Sequence, residues 1–375
     1  MARLTRRTFL KTVAFALGTG MISPKSGATK SASVSLEEMI RQMVIGGFRG
    51  FTVTHDTPIG RDIRKRFLGG VVLYDYDVPT HTPRRNIQSP AQVKTLDASL
   101  KHLAPFPLTI AVDEEGGRIA RLKPRFGFPP TVSSQVLGAK DDPAYTYWEA
   151  LGIARTLKAM GITLNFAPVV DLNVNPDNPV IGRLQRSFSA DPTVVTRMAL
   201  AFIRAHHELG IRCTLKHFPG HGSSSTDSHL GFVDVTRTWS PVELEPFRNV
   251  IKAGKADAVM TAHIFNAKLD PRYPVTLSKT AITGILREKL GYDGVVISDD
   301  MQMGAIRKYF GFEQAILLAV NAGVDILIIA NNTIYDRTAV SQALTAIQRF
   351  VREGKIPVRR IEKSYRRIRR LKRPI

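Results

Sequence analysis

A single cysteine, Cys213, stands among 375 residues, so neither an intramolecular disulfide nor a thiolate metal cluster is possible. Acidic residues are scarce as well, 32 against 53 Lys and Arg, and none precedes Glu37. The sequence contains no P-loop, no zinc-finger spacing and no RNA-binding motif, which removes the usual reasons to read a charge of +21 as a nucleic-acid signal. The distribution of that charge argues the same way. Residues 1–30 carry six basic groups and no acidic one, and residues 356–375 carry nine against Glu362, so the two ends supply +14 of the +21. The one apolar stretch near the N-terminus, Val13 to Ile22, is shorter than the about 20 residues that span a bilayer. Nucleic acid and a stable membrane anchor are therefore not expected as partners.

What is present suffices for one large core: 43% of the chain is hydrophobic, and α/β barrels commonly exceed about 250 residues as one domain. At the N-terminus, Thr5-Arg6-Arg7-Thr8-Phe9-Leu10-Lys11 is followed by the weakly apolar stretch and by the small residues Ser26-Gly27-Ala28. The segment resembles a twin-arginine export signal, without the cysteine a lipid anchor would need. Residues 1–30 are accordingly read as signal peptide and linker, 31–375 as the folded domain, and the destination as periplasmic or secreted.

Ser35-Leu36-Glu37-Glu38 has the form of a capping box, and Leu36, Met39, Ile40 and Met43 follow at helical spacing. Eight short apolar runs come next: Met43 to Phe48, Gly70 to Tyr74, Leu108 to Asp113, Thr163 to Leu172, Arg212 to His217, Ala258 to His263, Gly294 to Asp299 and Val324 to Ile329. Runs apolar on both faces suit buried parallel strands. Helix-length segments separate them, among them Ala144 to Met160, Pro192 to Leu209, Ser240 to Ala253, Leu277 to Leu290 and Phe312 to Ala322. An open doubly wound sheet rarely reaches eight strands and carries a Gly-rich turn after the first, which is missing here. The alternation predicts a single-domain α/β fold, a TIM-type (β/α)8 barrel.

Five of the runs end in ionisable groups: Asp113, Asp171, Lys216 with His217, His263, and Asp299 with Asp300. Catalytic groups of such barrels sit at the C-terminal ends of the strands, and charges there are costly unless paired, so this ring reads as the floor of a polar pocket. His217, His221 and His229 lie close in sequence, yet Pro219 and Gly220 break the helix that would align the first two. No metal is expected.

Three segments carry the chemistry: Val112-Asp113-Glu114-Glu115-Gly116-Gly117-Arg118, Lys216-His217-Phe218-Pro219-Gly220-His221-Gly222 running on to Asp227-Ser228-His229, and Val296-Ile297-Ser298-Asp299-Asp300-Met301. Together they closely resemble the family 3 β-N-acetylhexosaminidases of glycoside hydrolases, over the chain from about Leu36 onward. The resemblance implies a retaining, exo-acting hydrolase of terminal β-linked N-acetylglucosamine, working through a covalent intermediate and without a cofactor. It places the nucleophile at Asp299 and the acid/base at His229, with Asp227 orienting the ring. A carboxylate beside an imidazole favours its protonated form, and histidine starts near a pKa of about 6.5, so a small shift gives a donor poised near neutrality. The same resemblance has Asp113, Arg121, Arg186, Lys216 and His217 grip the sugar. The segment before Arg186 is slightly expanded, which leaves Arg183 as its substitute. Asp300 reads as the cap of the following helix, and His263 either as pocket wall or as ligand.

Other readings of the same residues are a glycoside phosphorylase or β-glucosidase on this scaffold, since a neutral imidazole does not repel phosphate. A non-catalytic envelope protein that binds sugar is a third. The partner expected is a small carbohydrate, from peptidoglycan fragments or chitooligosaccharides, and the expected state is a monomer. At the C-terminus, Ile361, Tyr365, Ile368 and Leu371 recur at helical spacing opposite arginines, predicting a last helix over the barrel, with attraction to anionic polymers or lipids as a second role.

Overall fold

A computed structural model describes residues 34–66, 68–227 and 231–375. The twin-arginine segment and His229 therefore lie outside the described residues. Residues Ser35–Ile375 form one compact unit. It opens with the capping box: Ser35 Oγ accepts the Glu38 N–H at 3.2 Å, while Glu38 Oε2 accepts the Ser35 N–H at 2.8 Å. Both bonds satisfy donors that the helix Leu36–Arg41 would otherwise leave open.

Eight parallel strands close into a barrel: β1 (Val44–Gly47), β2 (Gly70–Leu73), β3 (Thr109–Val112), β4 (Leu164–Asn165), β5 (Arg212–Phe218), β6 (Ala258–Thr261), β7 (Val295–Asp300) and β8 (Ile326–Ile329). Closure is made by β1, which pairs Ile45 with Ile328 of β8 and with Gly70 of β2. The last glycine of β1 has a steric reason, since a Cβ on Gly47 would lie 1.7 Å from the Ala330 carbonyl oxygen. Helices cover the outside, and three of them, Pro90–Leu103, Pro143–Met160 and Pro192–Glu208, start in the same way. Ser89, Asp142 and Asp191 each cap the first turn, and proline follows at the first position, where its missing N–H costs nothing.

The expected elements are all present, with one marked difference. The run Thr163 to Leu172 pairs as a regular strand only over Leu164–Asn165, because Pro168 has no N–H to give a ladder. Pairing resumes beyond it, where Val169 bridges Lys216 and the Val170 N–H reaches the Lys216 carbonyl at 2.8 Å. A short hairpin, Glu114–Gly116 with Ile119–Ala120, follows β3 and was not foreseen.

The last helix, Val358–Leu371, buries Ile361, Ser364, Ile368 and Leu371 and lies across the strand starts. Arg360 bonds the Val324 carbonyl just before β8, Arg367 reaches Asp293 before β7, and Lys372 Nζ donates to Gln42 Oε1, Gly69 O and Pro107 O before β1, β2 and β3. It thus forms a floor under the barrel. At its centre the fully buried Asp325 accepts from Arg287 at 2.7 Å, Ser364 at 2.6 Å and Arg360 at 3.2 Å. Burial raises this carboxyl, but Arg360, Arg287 and Arg367 outweigh it and hold it below the usual range. A depressed carboxylate stabilises the fold above its unfolded pKa of about 3.9, and that contribution is lost as pH falls through the folded value. Asp325→Ala should cost about 3–5 kcal/mol in urea unfolding at pH 7, since it strands buried guanidinium groups, and the deficit should shrink below about pH 4.

Candidate active site

A cleft of about 230 Å³ opens at the opposite end, and every strand from β2 to β8 contributes to its lining. Tyr74 follows β2, Asp113 follows β3 and Phe166 follows β4; Lys216 and His217 belong to β5, Asp299 and Asp300 to β7. In a regular strand consecutive side chains point to opposite faces, yet Lys216 and His217 both line the cleft. The register of β5 against β6 shifts between Leu215 and Phe218, around a cis Lys216–His217 peptide. The hairpin after β3 turns the chain back so that Arg121 also lines the cleft. Its Glu114 accepts the Arg121 and Leu122 N–H groups at 2.9 Å each, and burial pushes this carboxyl up to about 8.

The cradle is a set of paired charges. Lys216 Nζ lies 2.8 Å from Asp113 Oδ1 and 2.6 Å from Glu115 Oε1, and Arg121 Nη2 lies 3.3 Å from Asp113 Oδ2. Arg186 grips Glu115 with two parallel bonds of 2.8 and 2.7 Å, the geometry that matches a guanidinium to a carboxylate. Burial raises Asp113, but Lys216 and Arg121 hold it far below the usual carboxylate range. Glu115 is held down likewise against burial, by Arg186 and then Lys216.

His217 is fixed between opposite neighbours. Its Nδ1 lies 2.7 Å from Asp171 Oδ2 and its Nε2 lies 3.2 Å from Arg186 Nη2. A guanidinium only donates, so Nε2 accepts and Nδ1 carries the proton towards Asp171. Burial, then Arg186 and Lys216, push this imidazole well below its ordinary pKa, so it is neutral. Asp171 also accepts the backbone N–H of His217 and, at 2.8 Å, that of His221. His221 in turn bonds Ser224 Oγ through Nδ1 at 2.8 Å.

The structure therefore brings together seven of the eight residues singled out from sequence: Asp113, Arg121, Arg186, Lys216, His217, Asp227 and Asp299 all line this cleft. The eighth, His229, lies two residues beyond Asp227 and outside the described residues. Arg183, the substitute considered for Arg186, points outward, with its side chain 65% exposed and 3.6 Å from Asp177. His263 does not line the cleft and sits behind it, bonded to Thr276 Oγ1 at 2.8 Å and the Asp300 carbonyl at 2.9 Å.

The expected capping role of Asp300 is corrected. The next helix starts at Gly304 without a side-chain cap. Asp300 instead accepts the N–H groups of Gln302 at 3.1 Å and Ala330 at 3.0 Å, tying the end of β7 to the end of β8. Asp299 accepts the Asp300 N–H at 2.8 Å through Oδ1 and is held at the cleft rim. Glu115 was not assigned a role from sequence, and Asp171, expected at the pocket floor, does not line the cleft but stands behind His217. The available signal was charge balance: cations placed at strand ends need buried counter-charges, and Glu115 lies in the same motif as Asp113 while Asp171 ends the neighbouring run.

Residues 35–371 match the model of the glycosyl hydrolase family 3 N terminal domain. Among curated relatives, beta-hexosaminidase A of Pseudoalteromonas piscicida is 34% identical over 350 residues, 87% of this chain and 57% of that protein. The beta-hexosaminidase of Tolumonas auensis is 38% identical over 275 residues, 72% of this chain and 78% of the relative. Among solved structures, a glycoside hydrolase family 3 beta-N-acetylglucosaminidase from Paenibacillus sp. superposes with a TM-score of 0.83 at 36% identity, covering 91% of this chain and 62% of the other. The chain thus spans less than two thirds of the first of these relatives and of that structure. On the strength of a family match that runs nearly the whole length of the barrel, this chain belongs to glycosyl hydrolase family 3, as a form of its N-terminal domain.

Proposed function

We propose that this chain is a retaining, exo-acting β-N-acetylhexosaminidase that releases terminal β-linked N-acetylglucosamine through a covalent glycosyl-enzyme. The observation that carries the reading is the shared cleft: Asp299 and Asp227 open onto the same space as the paired cradle of Asp113, Lys216, Glu115 and Arg186. Charges that compensate one another there present lone pairs and N–H groups to a neutral, hydroxyl-rich ligand. Asp299 adds a carboxylate where positive charge develops on the anomeric carbon. A cleft of about 230 Å³ suits one sugar ring, which favours exo action.

In the first step Asp299 attacks the anomeric carbon while His229, oriented by Asp227, gives its proton to the leaving oxygen. In the second, the neutral imidazole takes a proton from water, which attacks the same carbon and frees Asp299. Each face of the sugar is used twice, so the product keeps the β configuration. Asp113, Lys216, Arg121, Arg186 and neutral His217 hold the ring. The substrate class that fits the curated relatives' names is a β-N-acetylglucosaminide, from peptidoglycan fragments or chitooligosaccharides. The basic leader carrying Arg6 and Arg7 directs the folded protein out of the cytoplasm by the twin-arginine route.

Three outcomes are expected. Asp299→Asn lowers kcat on an aryl β-N-acetylglucosaminide by more than about a hundredfold, while NMR of the wild-type reaction shows the β anomer released first; an α first product would remove the retaining scheme. His229→Ala loses about 10²–10⁴-fold with an alkyl leaving group and far less in the first step with a dinitrophenyl one, which leaves without protonation and appears as a burst. An equal loss on both would take His229 out of the acid's role. Arg6→Lys with Arg7→Lys leaves the protein in the cytoplasmic fraction, and undiminished export of that variant would exclude the twin-arginine route.

A further inference from the structure

The floor helix turns one side to the barrel and leaves a row of cations on the other. Its buried positions Ile361, Ser364, Ile368 and Leu371 recur at spacings of three and four. At about 100° per residue, Arg359, Lys363, Arg366, Arg370 and, just past the helix, Arg373 fall on the opposite side. All five are exposed, and Glu362 is the single acidic residue of the helix. Arg370 pairs with Asp293 at 2.9 Å, whereas Arg359, Lys363, Arg366 and Arg373 have no acidic partner among the described residues. From Arg359 to Arg373 the row is about 21 Å long at 1.5 Å per residue. Like charges at these spacings repel and weaken a helix, a local cost that the burial of its other face offsets.

We infer that this face docks on an anionic phospholipid surface and holds the barrel with its cleft turned away from that surface. The orientation follows from the fold, because the helix crosses the strand starts while the cleft is built at the strand ends. The apolar side of the helix is fully used under the barrel, so the helix cannot insert, and no described helix is long and apolar enough to cross a membrane. Attachment is therefore electrostatic adsorption, screened by salt. Two features favour lipid over a soluble polyanion. The row contains no aromatic ring on which bases could stack, and exposed aliphatic residues flank it at both ends, Val358 at 46% and Ile375 at 53% exposure. This surface stands apart from the cleft and does not depend on what the cleft hydrolyses.

The test is co-sedimentation of the full chain with vesicles of phosphatidylcholine alone or mixed in equal parts with phosphatidylglycerol. Binding is expected only to the mixed vesicles, and to be lost between about 0.1 M and about 1 M salt, as the screening length falls from about 10 Å to about 3 Å. The combined Arg359→Gln, Lys363→Gln, Arg366→Gln and Arg373→Gln variant should bind at least about tenfold more weakly, with a thermal midpoint no lower than wild type and unchanged turnover of a soluble substrate. Absence of wild-type binding to the mixed vesicles overturns the inference. So does wild-type affinity in the variant, which would assign binding to the six cations of residues 1–30. Equal affinity for duplex DNA or polyphosphate, undisturbed by added vesicles, would assign the row to a soluble polyanion and overturn it too.

Discussion

Burying two cations at the mouth of the barrel is the constraint from which the rest of the site follows. The Lys216 side chain is 2% exposed and that of Arg186 11%, and an uncompensated charge at such depth costs several kcal/mol. Asp113 and Glu115 meet this need from β3 and its hairpin, while Asp171 stands on the far side of His217. Because each carboxylate is shared, the groups are fixed by one another before any ligand arrives. Burial and then Arg186 fix the state of His217: depth disfavours the charged ring, and a permanent donor on Nε2 leaves the proton of the neutral ring towards Asp171. The site is preorganised by electrostatics as much as by packing.

The two ends of the barrel divide their labour. At the strand ends the charges are paired loosely enough to leave Asp299 and Asp227 on a cleft. At the strand starts the buried carboxylates are each held by several donors, with Asp325 among Arg287, Arg360 and Ser364, and Asp257 accepting from Arg212 and the Cys213 N–H at 2.8 and 2.9 Å. Charges that hold the fold and charges that face the cleft are thereby separated in space. The floor helix makes this possible by satisfying carbonyls that open strand starts would expose, as the three bonds of Lys372 Nζ show.

Much of this was legible in the sequence, for a physical reason. Buried parallel strands read as continuous apolar runs, so seven of the eight strands fell within a few residues of their expected limits, and the polar ends of three runs, at Asp113, at Lys216 with His217 and at Asp299 with Asp300, marked the cleft. The fourth was misjudged in length, since hydrophobicity does not register the missing N–H of Pro168. Strand ends tell which rim a side chain occupies and not which neighbour it meets. Asp300 therefore looked like a helix cap, although its acceptors are used by Gln302 and by Ala330 on the next strand. Glu115 was overlooked for the same reason, because only the folded chain shows which cations it neutralises, and Asp171, though placed at a strand end, gave no sign of the imidazole it holds. Arg183 and Arg186 could not be separated by spacing, yet bidentate pairing with Glu115 turns one inward and leaves the other in solvent.

The loop that leads from β5 to Asp227 completes the logic. A flexible arm would place an acid group poorly, since catalysis rewards groups held close to their working geometry. Here the stem is held at successive points: Asp171 accepts the His221 N–H, and Asn178 Nδ2 donates to the carbonyls of His221 and Gly222 at 2.7 and 3.1 Å. Asn175 Nδ2 adds a bond of 3.0 Å to the Ser224 carbonyl. Gly222 has no room for a side chain, as a Cβ would lie 1.7 Å from the Leu172 carbonyl oxygen. The same Asp171 that sets the tautomer of His217 therefore also anchors the segment that delivers Asp227 to the cleft. The cleft-lining imidazole and the segment that carries Asp227 are thus tied to one buried carboxylate.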